Sequence, residues 1–68
     1  MAKFIEIEEL VMGNMTSMIW INIDKIEWFM PASNKAKYNT LIKVADRGHV
    51  EAMDEIEDVI ASLSGAAT

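Results

Sequence analysis

The stretch Thr16-Ser17-Met18-Ile19-Trp20-Ile21-Asn22-Ile23-Asp24-Lys25-Ile26-Glu27-Trp28-Phe29-Met30 decides the fold. From Thr16 to Ile23 it alternates with period two. Ile19, Ile21 and Ile23 fall on one side and Met18, Trp20 and Asn22 on the other, as a β-strand requires. Both sides are largely apolar, which predicts a central strand or one whose outer face is covered. Asn22 and Asp24 then bracket Ile23 with short polar side chains that bond nearby backbone and bend the chain. Ile26, Trp28 and Met30 resume the alternation, so a further strand is expected over residues 25–30. Pro31 ends it, because proline donates nothing to a ladder and restricts the residue before it.

Upstream, residues 3–11 read as an opening strand, with Ile5 and Ile7 opposed to Glu6 and Glu8. Gly13-Asn14 suits a tight reversal, and Met12 and Met15 flank it, unusual company for a turn that faces water. Downstream, residues 32–39 are short-chained and polar, a loop or hairpin tip. Residues 40–45 form a strand with Leu41, Lys43 and Ala45 opposite Ile42 and Val44. Asp46-Arg47-Gly48 is a turn by composition, and residues 49–52 are a short return strand.

The last element is a helix. Asp54 is its expected N-cap, with Glu57 three residues on as the reciprocal partner of a capping box. Ile56, Val59, Ile60 and Leu63 make an apolar stripe at i, i+3, i+4 and i+7. Gly65 is expected to end the helix and residues 66–68 to fray.

The expected fold is a single α+β domain over residues 1–68, a curved antiparallel sheet of four to five strands with one C-terminal helix on a face. Ile19, Ile21, Ile23, Ile26 and either Leu41 or Ile42 can meet the helix stripe. Met18, Trp20, Trp28 and Met30 are then left on the other face with no second helix to cover them. These four are the candidate dimer or apolar interface, since Trp and Met are enriched at interface cores.

Composition narrows the function. The chain has 68 residues, no cysteine and one histidine, which excludes disulfides, thiol nucleophiles and a two-histidine metal site. No apolar run approaches the ~20 residues of a membrane-spanning helix. The acidic, early-alternating start is unlike a signal peptide, so a cytoplasmic location is expected. Neither a cofactor nor a small-molecule substrate is expected. A chain of this size buries only about 60% of its unfolded surface, which favours association with a second copy.

The net charge is −5 and is unevenly spread. Residues 49–68 hold Glu51, Asp54, Glu55, Glu57 and Asp58 with no Lys or Arg, and Glu6, Glu8 and Glu9 extend the acidic side. Such a face favours a basic partner. Its sharpest form is a DNA-mimic inhibitor, of the sort phages encode, that occupies the phosphate site of a nucleic-acid-binding protein. The bland alternative is a solvated face that keeps a small domain dispersed. Lys35, Lys37, Lys43 and Arg47, with Tyr38 or Trp28 to stack on bases, make a weak basic hairpin whose approach to nucleic acid the overall acidity opposes. His49 has no nucleophile beside it in the sequence and reads as a strand residue, so no catalytic activity is expected.

Part of the chain resembles a known family. Ile21-Asn22-Ile23-Asp24-Lys25-Ile26-Glu27, then Thr40-Leu41-Ile42-Lys43-Val44, the Gly48 turn and Glu57-Asp58-Val59-Ile60 resemble the small FlbD/SwrD-like flagellar and motility proteins. The resemblance spans residues 20–63 and implies strands followed by one helix, with no catalytic residues to carry over. The competing reading to the acidic face is a structural or regulatory adaptor of FlbD type that binds through the Met18, Trp20 and Trp28 face. The Met-rich first turn and the lysine-bearing residues 33–39 depart from the family pattern.

Overall fold

The computed structural model describes residues 3–67, which form five strands and one α-helix. Strands β1 (Phe4–Met12) and β2 (Met15–Asn22) make a long hairpin. Gly13 turns it with φ of +56° while Asn14 stays at negative φ, the pattern of a reversal with glycine first. A 3-10 turn at Ile23–Lys25 follows, capped by the Asn22 side chain, whose Oδ1 accepts from the Asp24 N–H at 3.0 Å. Strands β3 (Ile26–Pro31), β4 (Thr40–Val44) and β5 (Gly48–Ala52) then form a meander, and α1 runs over Ile56–Ala67.

The strand order is β2-β1-β5-β4-β3, with every neighbour antiparallel. Consecutive strands β2 and β3 therefore lie at opposite edges. Four gaps of about 4.8 Å would set the edges of a flat five-stranded sheet about 19 Å apart. The chain from Asn22 to Ile26 spans at most about 14 Å even when extended, and a 3-10 turn spans less. The sheet is therefore rolled, bringing the hairpin over the meander. Among the described residues one bridge, Glu9 opposite Ala52, pairs β1 with β5, and beside it the Met53 N–H donates to the Glu8 carbonyl at 2.8 Å.

The core lies inside that roll. Ile5, Ile7 and Ile21 come from the hairpin, Ile42, Val44, Val50 and Ala52 from the meander, and Val59 from the helix. Ile19, Ile23, Ile26, Phe29 and Leu63 pack around them, half-buried. Of the two candidates left open in the fourth strand, Ile42 is the core residue.

Five expectations are corrected. The second strand is neither central nor covered. It is an edge, because β1 inserts between it and the rest of the sheet. The strict alternation of Ile26, Trp28 and Met30 is broken by a bulge between Ile26 and Trp28. The extra residue, Glu27, lets Ile26 and Phe29 point inward while Trp28 and Met30 point out. At the helix start, Asp54 does not cap: its Oδ1 accepts the backbone N–H of Glu8 at 2.9 Å. The first helical turn closes instead on the Glu55 carbonyl, which accepts from Asp58 and Val59. Gly65 does not end the helix, which continues to Ala67 without a left-handed residue. The fraying expected of residues 66–68 falls in part outside the described residues. The apolar stripe is also narrower than its spacing implies. Val59 is buried with Ile56 and Leu63 beside it, whereas Ile60, about 100° further round, is exposed.

Candidate interaction surface

The β1–β2 hairpin sorts its side chains by the pairing of its strands. Ile5 opposes Ile21 and Ile7 opposes Ile19, and these four face the core. The other face carries Phe4 opposite Asn22, Glu6 opposite Trp20, Glu8 opposite Met18 and Leu10 opposite Thr16. Trp20 is 65% exposed and Met18 55%, while Met12 and Met15 at the turn are 76% and 68% exposed. Isolated exposed apolar residues are ordinary, but Met18 and Trp20 are exposed neighbours on the outer face of one strand, and such a grouping is a candidate contact surface.

The backbone of the same strand is open. Ile23 donates across the ribbon to the Lys3 carbonyl, and Met53 donates to the Glu8 carbonyl from the opposite side of β1. Alternation along an antiparallel ladder then fixes the rest. Ser17, Ile19 and Ile21 turn their N–H and C=O groups toward β1. Thr16, Met18 and Trp20 turn theirs toward the unpaired edge.

The two sheet edges differ in chemistry. An exposed edge is ordinarily blunted by charge, proline or a bulge, because unpaired N–H and C=O groups template pairing with another chain. β3 has all three: Glu27, which pairs with Lys43 at 3.7 Å, Pro31, and the Ile26/Trp28 bulge. β2 has none of them over its eight residues. Trp28 and Met30, grouped with Met18 and Trp20 by the sequence, thus stand on the protected edge. Trp28 further rests edge-on against His49, with ring centroids 5.7 Å apart.

The acidic residues divide as well. Glu9 is drawn into an ion pair with Arg47 at 2.7 Å, its side chain only 13% exposed. Glu8 accepts from the Thr16 hydroxyl at 2.8 Å, and Asp54 is held on the Glu8 amide. Glu51 is half-buried on β5. Glu55, Glu57 and Asp58 remain exposed at the start of α1, and Glu6 on the outer face of β1. The Asp54–Glu8 bond sets the start of the helix beside β1. The basic residues do not form a stripe: Lys43 and Arg47 are paired, leaving Lys35 and Lys37 exposed in the loop between β3 and β4.

One device was not legible in the sequence. Asn39 donates through Nδ2 to the Met53 carbonyl at 2.7 Å, and the Thr40 hydroxyl donates to the Asp54 carbonyl at 2.7 Å. With the two Glu8 bonds these contacts pin the β5–α1 elbow to both β1 and β4. The available signal was a threonine in register with Ile42 and Val44 on the inward side of the alternation, since a buried hydroxyl needs a partner. Two open hollows of about 400 and 430 Å³ indent the surface. The first lies beside Phe4, Trp20, Lys25 and Arg47, the second beside Gly13, Lys37 and Met53. Among the described residues no group of three or more His, Asp or Glu side chains is placed to hold a metal ion, and no helix is long and apolar enough to cross a membrane. No protein-family model, curated protein or solved structure matches this chain.

Proposed function

We propose that this chain works by binding protein, without chemistry of its own, and that it binds through the open β2 edge and the Met18 and Trp20 side chains beside it. The observation that carries this reading is the asymmetry between the edges: β3 is guarded by charge, proline and a bulge, while β2 is uncharged and lined by large apolar groups. Edge addition supplies backbone hydrogen bonds for affinity and alternate side chains for specificity. An adaptor of FlbD type is consistent with such a surface.

A second reading rests on the acidic corner. Glu6, Glu55, Glu57 and Asp58 are exposed, and the Asp54–Glu8 bond sets the helix start beside β1. That corner suits docking on a basic, nucleic-acid-binding protein as a DNA mimic. Arg47 offsets the charge of Glu9, and the Glu8 and Asp54 carboxylates are turned to donors within the chain, so fewer acids are free to reach a partner and the edge reading is preferred.

Capture of partners by the immobilised protein separates the two. With the edge in use, Trp20→Ala abolishes capture, while Glu55→Lys with Asp58→Lys leaves it intact and added salt has little effect. With the acidic corner in use, the charge reversals abolish capture and affinity falls steeply with salt.

A further inference from the structure

We infer that the occupant of the β2 edge is a second copy of this chain, joined β2 to β2 as antiparallel neighbours about a two-fold axis at Ile19. This deepens the edge-binding reading above and rests on it.

The register follows from the strand itself. Directly opposed residues of an antiparallel pair share a face, so a two-fold axis must set a residue against its own mate. Centring on Ile19 places Met18 opposite Trp20 of the other copy and Thr16 opposite Asn22. These are the residues whose backbone groups aim at the open edge, so each opposed pair can exchange two hydrogen bonds. Thr16–Asn22, the regular part of the strand, is then fully matched.

Both faces favour this pairing. On the outer face, each Met18 thioether meets a Trp20 ring, a favourable contact of sulfur with an aromatic. On the inner face, Ile7 already opposes Ile19, and the row continues through the second Ile19 to the second Ile7. Ile19 is only half-buried in the single chain although it packs on the core, and the added strand covers its open side.

Charge singles out this seam. Two chains of net charge −5 repel overall. Along the outer face the order across the joined strands is Glu6, Trp20, Met18 of the second copy, then its Glu8. The carboxylates stand three strand gaps apart, about 14 Å. That exceeds the screening length of about 8 Å at physiological salt. No charged residue lies on β2 itself. The small size of the chain adds a reason, since association extends a core that one copy builds only in part.

Sedimentation of the full chain over a range of concentrations tests this. The wild type is expected to be dimeric. Met18→Lys is expected to be monomeric, its dimer weakened at least about 10-fold, because it removes both thioether–ring contacts and brings two like ammonium charges near each other across the seam. That variant should keep its far-UV spectrum, because Met18 is exposed and opposes Glu8 within the chain. Met30→Lys, on the guarded edge, is expected to remain dimeric. A wild type that stays monomeric at every concentration overturns the proposal, as does a folded Met18→Lys protein that still dimerises. If the wild type is monomeric but Met18→Lys loses partner capture, self-pairing fails while the edge-binding reading stands. If capture also survives the substitution, both fall.

Discussion

Thr40 is fully buried in a strand of otherwise apolar inward positions, and its hydroxyl reaches the carbonyl of Asp54. Thr40→Val keeps the shape and removes the donor, leaving that carbonyl without its partner. Unfolding in urea should show a loss of about 1–3 kcal/mol. Asp54 makes the companion contact, accepting the Glu8 amide across 46 positions of sequence. Asp54→Ala should cost about 1–2 kcal/mol and Asp54→Asn, which retains the acceptor, clearly less. If Asp54 acted as a helix cap, the loss would track helicity rather than the anchoring of β1. These roles were hidden in the sequence for a physical reason: Asp before an apolar periodic run is a strong cap signal. Only the tertiary approach of β1 offers the side chain a better donor.

Two glycines give opposite signs at the scale of elements. Gly48 opens β5 with φ of +87°, where an L-residue is strained, so Gly48→Ala should destabilise by about 1 kcal/mol or more. Gly65 lies within α1 at negative φ, with open space where a Cβ would go. Gly65→Ala should therefore stabilise by up to about 1 kcal/mol. Thermal unfolding of the two variants checks the pair, and equal signs would contradict the placement of one of them. The elements themselves were largely legible. The period-two runs gave all five strands to within about a residue, and the apolar spacing around Val59 gave the helix. The bulge at Glu27 was not, because no single residue marks it and the alternation reads smoothly through it. Its effect is large all the same: it places Ile26 and Phe29 in the core and Trp28 and Met30 outside.

At the scale of the molecule, strand order was the missing information. Sequence pattern shows that β2 is apolar on both faces, and an apolar strand is most simply placed in the middle of a sheet. The long first hairpin and the short 3-10 turn instead put β2 at an edge, with β1 joined to the meander through β5. Met18 and Trp20, expected on the uncovered face of the sheet beside Trp28 and Met30, stand instead along an open edge, with Trp28 and Met30 at the opposite one. The acids, by contrast, were placed correctly on the helix start and first strand, but their internal bonds could not be read from composition. A strand built to be buried and left open is the feature on which the functional account stands.

Amide hydrogen exchange of the full chain, resolved residue by residue along β2, tests the self-pairing of that strand most directly. Within one chain Ser17, Ile19 and Ile21 turn their N–H groups to β1, while those of Thr16, Met18 and Trp20 face the open edge. The account predicts that at concentrations where the protein associates, both sets are protected together, and that Met18→Lys frees the second set alone. Exchange at Met18 and Trp20 as fast as in the exposed loop at Lys35 and Lys37, beside protected Ile19 and Ile21, would contradict it.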